Sequence, residues 1–169
     1  MNARRHVLTA ALLLALTLAG CTKEQALQPT ETPAQAASTV DELVHQAATA
    51  LPAGASLKFN DGGDNTPCDD PTDNGPAGRV FVEKRYQIVA PDGAAWTTDQ
   101  VKSGLVAYWQ QQHYRPIDDR RADTIPTYRV ETTDGYRLSI AAYDRGDHHD
   151  FTLSGNSPCL WPNGTPDPQ

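Results

Sequence analysis

Two groups of side chains in this 169-residue chain have the types to do chemistry. The first runs from Asn60 to Gly78, where Asp61, Asp64, Asp69, Asp70 and Asp73 alternate with Asn65, Asn74 and several glycines. Hard cations such as calcium take such oxygens. The spacing departs from the D-x-[DN]-x-[DN]-G loop, however, and no closing Glu supplies a bidentate ligand. The turn chemistry of Asp, Asn and Gly accounts for the same residues, so calcium stays an open alternative to a plain loop. The second group is Asp144, Asp147, His148, His149 and Asp150, which His113 could approach. Imidazole and carboxylate ligate transition metals. Neighbours on a strand point to opposite faces, so His148 and His149 cannot share one ion there without a bulge or turn. The group reads as a solvated hairpin, and Arg145-Gly146-Asp147 within it as a turn. The sequence contains no G-x-S-x-G, S-x-x-K or H-E-x-x-H. No residue is assigned as catalytic, no metal ligand is assigned and no cofactor is expected.

The chemistry with the clearest signature lies at the N-terminus. Met1 to His6 carries Arg4 and Arg5, and Val7 to Ala19 is an apolar run with only Thr9 and Thr17 as polar members. That is the pattern of an export signal, and the run falls short of the roughly 20 residues a spanning helix needs. The following Leu18-Ala19-Gly20-Cys21 resembles the lipobox of bacterial lipoproteins. The resemblance implies a diacylglycerol thioether on the Cys21 sulfur and cleavage just before it. Two acyl chains matter, because one alone anchors marginally. Arg4-Arg5-His6-Val7-Leu8 also fits a loose twin-arginine signal, which leaves general and twin-arginine export both open.

An exported chain with Cys21 lipidated keeps two thiols, Cys68 and Cys159, and most simply joins them in one disulfide. Loss of residues 1–20 removes two positive charges and no acid, taking the formal charge from −7 to −9. Such a balance argues against nucleic acid, whose phosphates call for clustered Lys and Arg. It argues equally against adsorption to anionic lipid, leaving the acyl group at Cys21 to hold the membrane.

The elements that must position these residues follow from periodicity. Thr22 to Ala37, polar and carrying Pro29 and Pro33, reads as a disordered tether. A capping box, Thr39 with Glu42, opens a first helix whose stripe is Val40, Leu43, Val44, Ala47 and Leu51. His45 falls off that stripe. Arg79 to Val89 alternates as a strand, with Val80, Val82, Tyr86 and Ile88 on one face; Lys84 interrupts that face and suggests a sheet edge. Thr97 with Gln100 caps a second helix bearing Val101, Leu105, Tyr108, Trp109 and Gln112. Strands follow at Tyr128–Thr132, at Tyr136–Ala142 after an Asp134-Gly135 turn with positive φ at both residues, and around Phe151 and Leu153. Trp161 in the tail should pack against the domain.

The expected fold is therefore α+β and two-layered: an antiparallel sheet of about four strands covered by two helices, in the order α-β-α-β-β-β, with one disulfide. The expected division is 1–20 signal, 21–37 lipidated cysteine and tether, and 38–169 a single extracytoplasmic domain.

Lipobox, polar tether, Ala50-Leu51-Pro52-Ala53-Gly54 leading to Leu57-Lys58-Phe59-Asn60-Asp61, a central cysteine, and Ser157-Pro158-Cys159 followed by Trp161-Pro162 together resemble small lipoproteins of high-GC Gram-positive bacteria, loosely the mycobacterial LppA type. The resemblance implies a small domain on the outer face of the cytoplasmic membrane and carries no activity with it. The expected role is a non-enzymatic interaction or binding module, with an envelope protein as a possible partner. The alternative is a small-ligand carrier with a pocket between helices and sheet. Mass spectrometry of the processed protein is expected to find Cys21 as the first residue, with a lipid mass on its sulfur; a chain starting upstream, or a free thiol there, would overturn the anchor.

Overall fold

The computed structural model describes residues 30–68 and 76–165. The expected export signal, Cys21, most of the expected tether, and Asp69, Asp70 and Asp73 lie outside the described residues. Eight elements follow one another: α1 Pro33–Ala48, β1 Ser56–Pro67, β2 Val80–Val89, α2 Thr98–Gln111, β3 Arg115–Arg120, β4 Thr127–Glu131, β5 Arg137–Asp144 and β6 His149–Asn156. The strands form one antiparallel sheet in the order β1-β2-β6-β5-β4-β3.

The sheet thus has six strands and not about four. The two that periodicity missed, β1 and β3, are its two edges. An edge strand is held by backbone hydrogen bonds to one neighbour and need not bury a side-chain face. β1 runs through the Asp-, Asn- and Gly-rich stretch expected to be a loop, bulging between Phe59 and Asp61 and between Gly63 and Thr66. β3 is Arg-Pro-Ile-Asp-Asp-Arg, with a bulge after Pro116. A proline and four charged residues suit an edge and erase the apolar alternation that marks an inner strand.

Helix α1 starts within the stretch expected to be tether. Pro33 occupies its first turn, where a missing N–H costs nothing. Thr32 is the cap: its hydroxyl accepts from the Gln35 N–H, and Gln35 Oε1 accepts from the Thr32 N–H at 2.9 Å. The Thr39–Glu42 box does not form; the Thr39 hydroxyl donates to the Gln35 carbonyl and to Glu31. Alanines at 34, 36 and 37 favour helix intrinsically, and Ala36 is fully buried, a tertiary contact invisible in the polar composition around it. The Thr97–Gln100 box of α2 forms as the sequence indicates.

Val40, Val44 and Ala47 of α1, and Val101, Leu105 and Trp109 of α2, pack on Val82, Ile88, Leu138, Ile140 and Leu153 as one continuous core. Trp109 stacks on Tyr128 at 6.1 Å between ring centroids. Lys84 does not mark an edge, because β2 lies between β1 and β6. Its side chain is partly buried, with Nζ 3.3 Å from Asp41 of α1. The β4–β5 hairpin also differs from expectation. Only Gly135 takes positive φ (89°), while Asp134 keeps a negative one. Gly135 N–H donates to the Thr132 carbonyl and Thr132 N–H to Tyr136 at 2.8 Å, which makes a three-residue loop ending in a left-handed glycine.

Cys68 and Cys159 are joined, with their Cα atoms 6.1 Å apart and 91 positions between them in sequence. The bond ties the end of β1 to the segment after β6, where Leu160 exchanges backbone hydrogen bonds with Val80. Chain-entropy reasoning gives a loop of this size about 4–5 kcal/mol as an upper figure. Trp161, just beyond it, is buried.

The Tyr86 hydroxyl donates to Asp41 beneath α1. Burial first, and the Asp41 bond second, push this hydroxyl up to about 12. A folded value above the ordinary 10 means the stabilisation is complete below pH 10 and is lost as pH rises through 12. Urea titrations should therefore place Tyr86→Phe about 1–2 kcal/mol below the parent at neutral pH, with the gap closing between pH 10 and 12.

Candidate functional site

Both helices lie on the same face of the sheet, and period-two alternation sends every second side chain of each inner strand to the other face. Along β6, Phe151, Leu153 and Gly155 point to the helices, while Thr152, Ser154 and Asn156 point away. A Cβ on Gly155 would stand 2.9 Å from Val40 Cγ1 and 3.0 Å from Val44 Cγ2, so no side chain fits there. The far face is uncovered among the described residues, and its curvature encloses a concavity of about 800 Å³.

Register arranges the far face as rows running across the strands. The central row is Asp118 of β3, Arg129 of β4, Ser139 of β5, Ser154 of β6, Arg85 of β2 and Asp61 of β1. At its middle the Ser139 and Ser154 hydroxyls are 2.7 Å apart. One flanking row runs through Thr127, Ala141, Thr152 and Gln87, the other through Glu131, Arg137, Asn156 and Glu83. Aliphatic side chains are scarce there: Ile125 and Ala141 border the concavity, beside Tyr143.

Ion pairs bind most of these charges. Arg85 reaches Glu83 at 2.7 Å and Asp61 at 3.4 Å. Burial acts to lower the Arg85 guanidinium, but Glu83 and Asp61 outweigh it and hold it above its ordinary value. Arg145 pairs with Asp150 at 2.7 Å, and Arg120 with Asp118 at 2.9 Å. Glu131 takes both Arg115 and Arg137. Burial would raise its carboxyl, yet the bonds and charges of the two arginines win and hold it below the usual carboxylate range.

The residues singled out in the sequence fall elsewhere or at the margin. Asp61 belongs to the central row, paired to Arg85, and Asp64 is exposed on β1. His148 and His149 border a separate hollow of about 490 Å³ at the end of β2 and β6, beside Trp96 and Phe151. Only His149 belongs to β6, and His148 lies in the bend before it. His149 stacks on Phe151, while His148 Nδ1 lies 2.7 Å from Asp147 and Nε2 lies 3.5 Å from Asp150. The His148 bond lowers the fully exposed Asp147 carboxyl. His113 ends α2 with φ 58° and does not line that hollow. Among the described residues no three His, Cys, Asp or Glu side chains are placed to hold a metal ion, and no helix is long and apolar enough to cross a membrane.

Sequence reasoning missed Lys102, which is only 4% exposed on α2. Burial, and then the charge of Arg121, lower its ammonium group, against the pull of Asp119 and Asp99. It also missed the uncovered face as a unit. The available signal was the polar half of each alternation: Thr127, Arg129 and Glu131 on β4, and Arg137 and Ser139 on β5. No known protein family, no curated protein and no solved structure matches the chain.

The layer assignment has a direct test in two positions of β6. Thr152→Gln, on the open face, should leave the unfolding free energy within about 0.5 kcal/mol. Gly155→Val, on the helix face, should cost about 1–3 kcal/mol through overpacking. Denaturant midpoints of the two variants make the comparison.

Proposed function

We propose that this chain is a lipid-anchored, extracytoplasmic binding module without catalytic activity, and that the open face of its sheet is the binding surface. One observation carries the reading. Among the described residues, two helices cover one side of a six-stranded sheet, and the other side is uncovered, concave and lined with arginine, serine and threonine. Ligand sites favour such concave surfaces with a few convergent polar groups. The reading rests on the site and not on the fold.

The anchor fits the same arrangement. The chain enters the fold at the β4–β5 hairpin end, where the Tyr136 hydroxyl donates to Glu31 and Gly164 approaches the Thr30 carbonyl. A lipid on Cys21 would hold that end toward the bilayer and leave the β5–β6 turn pointing outward. The carrier reading, with a pocket between helices and sheet, meets an interface filled by Val40, Val44, Leu105 and Trp109. Space for a ligand lies on the opposite face.

A photo-crosslinking amino acid at Thr152 of the full-length protein in intact cells tests the surface, with the same group at exposed Gln110 of α2 as control. Adducts should form from position 152 and not from 110. Equal yields from both positions, or adducts from 110 alone, would remove the sheet face from this role.

A further inference from the structure

The open face is close to neutral in a chain that is acidic overall. The protein has a formal charge of −7. Its concavity, by contrast, is lined by four arginines, Arg85, Arg120, Arg129 and Arg145, against three carboxylates, Asp61, Glu83 and Asp150. Those carboxylates are all engaged, Asp61 and Glu83 by Arg85 and Asp150 by Arg145. Arg120 uses Asp118, which lies next to Arg129 in register. Glu131, the next residue along that face of β4, is taken by Arg115 and Arg137.

Arg129 is the exception. It is half-buried on β4, between β5 and the edge strand β3, and among the described residues it has no ion pair and no side-chain hydrogen bond. A partly desolvated charge without a partner is costly, and a guanidinium is a rigid fork built to grip two oxygens at once. Beside it, Ser139 and Ser154 hold one internal bond between their hydroxyls. Each hydroxyl has a single proton, so a pair joined by one bond keeps one proton free to donate outward. Arg85 follows two strands beyond Ser139, its fork turned to Glu83 and Asp61, close enough to add positive potential without being free to grip.

We propose that Arg129, Ser139 and Ser154 form a binding site for the oxyanion group of a ligand, a phosphate or a carboxylate, with Arg85 contributing charge from the side. The assignment rests on the sheet face being the binding surface and names the chemistry that this face selects. Arg129 would take two oxygens of the group, and the serine pair would donate to a third or to a neighbouring hydroxyl. The concavity, at about 800 Å³, has room for a molecule of sugar size carrying that group. Thr127, Thr152 and Gln87, in the next row, offer hydrogen bonds to the rest of it.

Three probes of one size separate the possibilities: glucose 1-phosphate, glucuronate and glucose. They would be titrated into the isotope-labelled, processed protein while the arginine Nε–Hε and backbone amide resonances are followed by NMR. At least one of the two anions should shift the Arg129 side chain and the Ser139 and Ser154 amides in a saturable way, and which one responds names the source of the oxyanion. Glucose should not shift them. Arg129→Gln should weaken the binding at least tenfold, and Arg129→Lys, which keeps charge but loses the fork, by less. Arg121→Gln is the control, being exposed, paired to Asp119 at 2.5 Å, set over the Tyr128 ring on the helix side and outside the concavity, and should leave the affinity unchanged. Equal weakening by Arg129→Gln and Arg121→Gln would overturn the site as general charge attraction, and an equal response to glucose would overturn the oxyanion. No saturable response to either anion, with crosslinks still forming from position 152, would overturn the oxyanion and leave the binding face standing. Silence in both experiments would take the face with it.

Discussion

Close approach of α1 to the backbone of β6 is the contact on which the rest of the structure depends. Val40 and Val44 rest where Gly155 has no side chain, and any Cβ there would collide with both. Gly104 plays the same part between the helices: a Cβ would stand 2.2 Å from the Ala50 carbonyl oxygen. Packing at this distance removes the space a ligand would need between helices and sheet. Polar contacts then fix the helix in rotation. Asp41 accepts from Tyr86 and pairs with Lys84, so three polar groups beneath α1 satisfy one another where none could face the core alone.

Committing both helices to one side has a consequence for the other. An antiparallel sheet tolerates one wet face, and here that face is polar along every inner strand. Its charges are largely neutralised in pairs along and between strands, which spreads stabilisation over many weak, solvent-screened contacts. Arg129 departs from this pattern, and it does so in register with Ser139, one of the two joined hydroxyls. The disulfide and the Leu160–Val80 bridge close the sheet at the end of β1 nearest the chain terminus. They hold the long first hairpin, whose edge strand buries little of its own.

Much of this architecture can be read from residue order. Val101, Leu105 and Trp109 repeat at helical spacing because a helix beside a sheet must bury one stripe. Val82 and Ile88, Val130, Leu138 and Ile140 alternate because inner strands bury one face. The same logic fails at β1 and β3. An edge strand satisfies its backbone through one neighbour, so Asn60, Asp61, Gly62, Gly63 and Asp64 can be extended while reading as a turn. It fails again at Pro33, where helix and tether have the same polar, alanine-rich composition until the burial of Ala36 decides between them. The candidate site was half legible. Its members stand out as the polar partners in each alternation, but nothing in their spacing says that they meet.

What the sequence indicates by itself is local: the pattern expected of an export signal with its cysteine, the two amphipathic stripes, the inner strands and a pair of remaining thiols suited to a disulfide. Each of these is a periodicity or a covalent chemistry, which needs no distant residue to be recognised. The tertiary structure alone decided the strand order, which residues became edges, and which face went without helices. It also decided that Arg129, Ser139, Ser154 and Arg85 fall in one row. These are matters of register between segments far apart in sequence, set by how the whole core packs, and no short window of residues contains them.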